Sequence, residues 1–299
     1  MDTRAFRAPG LQISAIGFGA LHLSMTPRPS LEESIKVLHH AFSRGITLID
    51  TADSYCTDES DKHVNEILVC QALRTSPRAN SVVVATKGGM IRPGGAWIPR
   101  GDPQYLLRTI RESFEALGGE KPIDLWQYHA PDPRVEIGES LEAVAKACKS
   151  GLIRHVGLSN VSLEQIKRAR DIVEIVSIQK KYNLWHRSPE LEGILDYCEQ
   201  ERLIFMPWAP FGGIANHREL QQLRFLREVA GRHEVSVYCV ALAWILSKSK
   251  CIVPIPGTSK IAHLDDWIQA CELKLSADDI YRIECSVYRA VAYSGCGES

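Results

Sequence analysis

The stretch "SLEESIKVLHHAFSRGITLIDTADSY", residues 30–55, holds one complete structural unit. Ser30 with Glu33 three residues on is the signature of a helix start. Apolar residues then recur at helical spacing as far as Phe42, and Gly45 marks a stop. Behind it "TLIDTA" (47–52) is a short β-rich apolar run that ends in ionisable groups, with Asp50, Asp53 and Tyr55 close together. A helix feeding a buried strand is the repeating element of a parallel sheet.

The same pairing recurs along the chain. β-rich runs occur at "ISAIGFGA" (13–20), "TLIDTA" (47–52), "SVVVATK" (81–87), "IDLWQYHA" (123–130), "IRHVGLSN" (153–160), "IVSIQKK" (175–181), "RLIFMPWA" (202–209) and "CIVPIPG" (251–257). Helical patterns such as "DPQYLLRTIRESFEALG", "SLEAVAKACKSG" and "SPELEGILDYCEQE" lie between them, and "RELQQLRFLREVAGRHEVSVYCVALAWILSKSK" is long enough for two helices. No composition shift or Pro/Gly/Ser linker divides the chain, so residues 1–299 are expected to form one α/β domain, a (β/α)8 TIM barrel, with an open doubly wound sheet as the alternative. "FRAPGLQIS" predicts an N-terminal β-hairpin turning at Pro9–Gly10 and placed to close the barrel floor.

Composition narrows the function. Hydrophobic residues are 45% and charged residues 24% of the 299, with a formal net charge of -1, which gives no electrostatic reason to expect nucleic acid or an anionic membrane. No apolar run is long enough to span a bilayer and "MDTRAFRAPG" lacks the marks of a signal peptide, so a cytoplasmic location is expected. The nine cysteines form no CxxC pair and the histidines no HExxH, so reduced thiols and no metal site are expected. The partner expected is a small molecule.

In such a barrel the active site lies at the carboxyl ends of the strands. Asp50, Lys87 and His129 each end a β-rich run, and Tyr55 follows in the second loop. Taken singly these are a loop cap, a snorkelling lysine, a core histidine and an interface aromatic. Together on one rim they read as a site.

At these residues the chain resembles the aldo-keto reductase superfamily. "RGITLIDTADSY", "VVVATKGG", "IDLWQYHAPDP", "GLIRHVGLSN", "VSIQKKYNLWHR" and "IVPIPGTSK" carry the resemblance in the family's order over nearly the whole length. It implies a (β/α)8 barrel that binds NADPH/NADP+ without a Rossmann domain and reduces a small aldehyde or ketone, and "IGFGA" indeed lacks the full dinucleotide fingerprint. Tyr55 is then the proton donor, Lys87 the cation expected to lower its pKa, Asp50 the partner that holds Lys87, and His129 the group that orients the substrate oxygen. The family match assigns Ser159, Asn160 and Gln179 to the nicotinamide carboxamide and Trp208 to its ring. It assigns Ala209, Pro210, Phe211 and Gly212 to the pyrophosphate loop, Gly257, Thr258 and Ser259 to the adenosine phosphate end, and His263, Asp266 and Trp267 to the adenine end. Here Cys56 stands where many relatives carry Gly, His263 where an Arg is common and Trp267 where an Asn is common.

Leu21, His22, Trp97 and Phe211, with Trp185 further out, are candidates to line the substrate pocket. "YNLWHR" and "PWAPFGG" are similar to bacterial members that reduce pyridoxal. The alternative function is a non-catalytic NADP(H)-binding regulatory barrel like the potassium-channel β subunits. Thr51 and Asp53 are expected to be structural, with Asp53 bonding loop backbone.

Overall fold

Strand and helix alternate through the computed structural model, which describes residues 2–5 and 12–294, with side chains left undescribed at 214–215 and 286–294. Strands β1 (Thr3–Ala5) and β2 (Gln12–Ser14) form an antiparallel hairpin. Its expected turn at Pro9–Gly10 lies outside the described residues. The wall of the barrel follows as β3 (Phe18–Gly19), β4 (Leu48–Asp50) and β5 (Val83–Gly88). A small antiparallel ribbon, β6 (Met90–Ile91) and β7 (Ile98–Pro99), interrupts it. The wall resumes with β8 (Ile123–Tyr128), β9 (Ile153–Ser159), β10 (Ile175–Lys181) and β11 (Ile204–Trp208). β3, β4, β5, β8, β9, β10 and β11 pair in parallel as one seven-stranded sheet.

The eighth run closes the circle without becoming a ladder strand. Val253 and Ile255 donate to Phe205 and Pro207 of β11, at 2.9 and 3.2 Å, and the carbonyls of Pro254 and Pro256 accept from Gly17 and Gly19 at 2.9 Å. Both edges are therefore bonded. The two prolines lack the N–H groups that would complete the pairing with β3. The first run also differs from expectation: residues 12–14 belong to the hairpin, and the chain bends at Ala15–Ile16, where the Ser14 hydroxyl donates to the Ile16 carbonyl at 2.6 Å, before β3 begins.

Helices α1 (Leu31–Ser43), α2 (Val64–Arg74), α3 (Pro103–Ala116), α4 (Ile137–Lys149) and α5 (Leu163–Arg170) cover successive strands. Ser30 and Glu33 form the expected capping box on α1, whose buried stripe includes Val37, Leu38, Ala41 and Phe42. The single helix expected at 188–201 is two, α6 (Ser188–Leu191) and α7 (Ile194–Gln200), because Gly193 adopts a left-handed conformation with φ 73°. After the one-turn α8 (Gly213–Asn216) come the two expected from the long segment, α9 (Arg224–His233) and α10 (Val237–Lys248). α11 (Ile261–Gln269) and α12 (Ala277–Ser294) complete the outer layer.

The core has two layers. Ile13, Leu48, Val83, Ala85, Leu125, Val176, Ile204, Met206, Val253 and Ile255 pack inside the barrel. Ile13 brings the hairpin into this inner layer, as expected of a floor. Larger clusters fill the space between strands and helices. No single described helix is long and apolar enough to cross a membrane.

Candidate active site

Strand parity builds the site. Side chains alternate between faces, so Leu48 inside places Asp50 inside, Val83 and Ala85 place Lys87 inside, and Leu125 places Gln127 and then His129 inside. The apolar residues fill the lower barrel and the polar ones stand above them at the carboxyl ends. Gly157 of β9 permits this crowding, since a Cβ there would lie 2.2 Å from the Ser177 hydroxyl and 3.0 Å from Gln127.

Asp50 is the hub. Its Oδ2 accepts from Lys87 Nζ at 2.6 Å and from the Tyr55 hydroxyl at 3.2 Å, and its Oδ1 accepts from Gln179 at 2.8 Å and Gln127 at 3.3 Å. Lys87 also donates to the Thr51 carbonyl at 2.8 Å, and its ammonium sits 4.4 Å from the centre of the Tyr55 ring. Asp50 and Lys87 are each 1% exposed. Burial pushes the Lys87 ammonium down while Asp50 opposes the shift. Burial and Asp50 together hold the Tyr55 phenol well above its ordinary value. The expected lowering of that pKa by Lys87 is thus not what this arrangement produces: the ammonium lies over the ring, and the hydroxyl faces a carboxylate.

His129 follows β8, with its N–H donating to the Gly88 carbonyl at 2.9 Å. Its ring lies 6.1 Å from that of Tyr55, and its Nδ1 is 3.2 Å from the Ser54 hydroxyl. Burial, then Lys87 and Arg92, hold its pKa well below the ordinary imidazole value, so the ring is neutral. Trp97, carried by the β6–β7 ribbon, stands 6.4 Å from Tyr55 and 5.9 Å from His129, edge to face with both. These three rings share one side of the rim.

The residues assigned to the cofactor adjoin this group through Asn160 and Gln179. Asn160 donates to the Ser159 hydroxyl at 3.1 Å and to the His129 carbonyl at 3.0 Å, and accepts from the Trp208 indole at 3.1 Å. Asn160 and Ala209 are both in the left-handed region, with φ 59° and 50°, at the ends of β9 and β11; such conformations in residues other than glycine gather at functional sites. Gly257 packs against β3, where a Cβ would lie 2.5 Å from the Gly19 carbonyl oxygen and 2.9 Å from His22. His22 therefore stands beside the eighth run, with Leu21 next to it in the same short turn. Phe211 turns toward the helices, 5.2 Å from Tyr238 and 5.4 Å from Trp267, and Gly212, which follows Pro210 and Phe211, packs against Trp185.

In the segment assigned to adenosine the Thr258 hydroxyl lies 2.9 Å from His263 Nδ1 and accepts from the Lys260 N–H at 3.0 Å, with Ser259 between Thr258 and Lys260 in the chain. Asp266 accepts from Ser236 at 2.5 Å, and Trp267 is buried. Carboxamide, hydroxyl and indole groups on one rim, followed by Lys260 and His263 at the start of α11, form a donor set that fits a nicotinamide dinucleotide. Among the described residues no group of three His, Cys, Asp or Glu is placed to hold a metal.

Sequence reading missed Gln127, Ser54 and Arg92. Gln127 was legible in retrospect, since it lies two residues before His129 on one strand face. Asp53 differs from its expected role: it is fully buried and faces Lys62 Nζ at 3.2 Å rather than loop backbone. Burial pushes it up to about 6.

The aldo/keto reductase family pattern matches residues 15–287. An uncharacterized oxidoreductase of Schizosaccharomyces pombe is 35% identical over 277 residues, covering 91% of this chain and 86% of the relative. Escherichia coli pyridoxine 4-dehydrogenase is 30% identical over 289 residues, covering 93% and 96%. A thermostable aldo-keto reductase solved with the inhibitor epalrestat superposes with a TM-score of 0.81 at 27% identity, over 96% of this chain and 100% of that one. An aldo-keto reductase from Klebsiella pneumoniae, solved with NADPH, has a TM-score of 0.80 at 22% identity over 95% of both chains. With the family pattern running through nearly the whole barrel and relatives of this identity along more than nine-tenths of its length, the chain is an oxidoreductase of the aldo/keto reductase family.

Proposed function

We propose that this chain binds NADPH along the rim from Ser159 to Trp208 and the segment 257–267, and reduces an aldehyde or ketone to an alcohol with Tyr55 as proton donor. The observation that carries the reading is the Tyr55 hydroxyl held at Asp50, above the buried Lys87 and beside neutral His129. When bound, NADPH supplies the hydride. Tyr55 supplies the proton: a phenol held well above its ordinary pKa is protonated at any pH the protein meets, so the acid is always loaded. As the hydroxyl gives up its proton, the Lys87 ammonium 4.4 Å from the ring stabilises the phenolate left behind. Asp50 holds Lys87 in place, while Gln127 and Gln179 satisfy its second oxygen so that one oxygen remains for the lysine and tyrosine. In this reading the Ser54 hydroxyl, 3.2 Å from Nδ1, donates to it, which leaves the proton of neutral His129 on Nε2 as a donor for the carbonyl oxygen.

The similarity to pyridoxine 4-dehydrogenase makes pyridoxal the first substrate to try. A screen of NADPH consumption over pyridoxal and small aliphatic and aromatic aldehydes tests the reading, together with NADP+ reduction by pyridoxine. Turnover of at least one carbonyl is expected. Tight NADPH binding with no turnover across the panel would return the chain to the regulatory-barrel reading.

A further inference from the structure

The tip of the β6–β7 ribbon carries Arg92 and Trp97 on its two sides, and neither is used by the chemistry above. The Arg92 guanidinium carbon lies 3.6 Å from the centre of the Trp97 ring. Trp97 is 44% exposed and Arg92 only 3%, so the aromatic ring covers the cation. Two of the guanidinium nitrogens, Nε and Nη1, are buried without a hydrogen-bond partner among the described residues. A cation removed from water with open N–H groups is costly, and stacking on one aromatic face offsets only part of that cost.

Three acids of this part of the rim are engaged elsewhere. Asp50 holds Lys87, Asp53 faces Lys62, and Glu59 accepts the Arg92 backbone N–H at 2.6 Å while its other oxygen lies 3.6 Å from Lys62. The same backbone tie, returned by the Glu59 N–H donating to the Arg92 carbonyl at 3.1 Å, fixes the ribbon tip against the loop that carries Tyr55. The guanidinium is thus one aromatic ring away from both His129 and Tyr55. Its charge is felt at His129, where it helps keep the imidazole neutral.

We propose that Arg92 is a specificity-determining residue that binds an anionic oxygen group, carboxylate or phosphate, on the carbonyl substrate, beneath an aromatic wall formed by Trp97. This rests on the reductase reading and sharpens its substrate class. The guanidinium supplies charge-assisted N–H donors for an oxyanion, and Trp97, Tyr55 and His129 supply faces and edges for a flat ring between that anion and the reacting carbonyl.

The test compares substrates matched except for charge. 4-Carboxybenzaldehyde is set against methyl 4-formylbenzoate, and pyridoxal 5′-phosphate against pyridoxal, in wild type, Arg92→Met and Arg92→Lys. In at least one pair, wild type should favour the anion at least tenfold in kcat/KM, mainly through KM, and the favoured pair identifies the group as carboxylate or phosphate. In Arg92→Met that ratio should fall to about one; in Arg92→Lys it should fall less, because charge is kept while the planar donor set is lost. Both members of a pair are expected to slow when Trp97 loses its support, so the ratio is the deciding quantity. Wild-type ratios near one in both pairs, or a ratio that survives Arg92→Met, would overturn the proposal. An arm that needs no turnover separates it from the reductase reading: benzoate should bind more tightly than benzamide in calorimetry of wild type, and should lose that advantage in Arg92→Met. If Arg92→Met does not fold, the wild-type ratios and Arg92→Lys decide.

Discussion

Two buried aspartate–lysine pairs begin three residues apart, at the end of β4 and in the loop after it, and end on opposite sides of the barrel wall. Asp50 points into the barrel mouth and meets Lys87 at 2.6 Å. Asp53 points outward to the start of α2 and faces Lys62 at 3.2 Å, where Lys62 also bonds the Tyr105 hydroxyl and His63 bonds Glu66 at 2.6 Å. The residue types are the same and both acids are sealed from water. What differs is which third group reaches the pair: Tyr55 and the two glutamines at the mouth, a packed helix at the wall. A buried ion pair is thus not itself a mark of catalysis; access for a reacting atom is.

The largest expected effects break the inner pair. Tyr55→Phe should lower kcat at least about a hundredfold, about 2.8 kcal/mol at about 1.4 kcal/mol per decade, with NADPH affinity nearly unchanged. Lys87→Met should match that loss and, by leaving Asp50 buried without its cation, should also cost roughly 3–5 kcal/mol of stability in urea unfolding. A Tyr55→Phe enzyme that keeps a tenth of its kcat would remove Tyr55 as the acid.

Breaking the outer pair should separate stability from turnover. Lys62→Met should destabilise while kcat stays within about tenfold of wild type, that is, under about 1.4 kcal/mol. Equal losses of turnover in Lys62→Met and Lys87→Met would mean that the two pairs share one role. The outer pair also has a pH signature. Asp53 has a folded pKa of about 6 against about 3.9 for an ordinary aspartate, so between those values the folded chain holds the extra proton. Stability therefore falls as pH rises from about 4 to about 6, by up to roughly 3 kcal/mol, and the Asp53 contribution is constant above that window. Asp53→Asn should flatten this part of the unfolding profile; an unchanged slope would assign it to another group.

Smaller effects belong to the side of the rim proposed for the cofactor. Trp208→Ala should weaken NADPH by roughly 0.5–1.5 kcal/mol through the lost ring face, and should remove most of the tryptophan quenching on cofactor binding. Full quenching in the variant would place another tryptophan on the nicotinamide. At the far end, burial and Lys260 hold His263 below the ordinary imidazole pKa. It should therefore add charge toward the 2′-phosphate only below about pH 6.5. His263→Arg supplies that charge at every pH and should strengthen NADPH by about 0.5–1 kcal/mol at pH 7.5, leaving NADH unchanged. Parallel NADPH and NADH changes in dissociation constant would show that position 263 does not meet the phosphate.

Much of this molecule is local in origin and was legible as such. The capping box at Ser30 and Glu33, the alternation of Leu48 with Asp50 and of Val83 with Lys87, and the recurrence of strand and helix are short-range patterns, and short-range sterics and burial specify the barrel and the candidate tetrad from them. The break of the predicted helix at Gly193 was local too, but glycine tolerates both outcomes, so its presence alone did not settle the matter. Other features depend on residues far apart in the chain. Pro254 and Pro256 lie inside a run that reads as a strand, and only their position beside β3 shows that carbonyls alone can close that edge of the barrel. The charge on Lys87 suggested a lowered Tyr55 pKa, yet its approach to the ring face and the burial of the hydroxyl against Asp50 reverse the sign. Trp97 was a pocket candidate from the sequence, but Arg92 had no role until the ribbon folded one over the other beside His129. Desolvation and the direction of approach are properties of packed neighbours, and these three results turn on them.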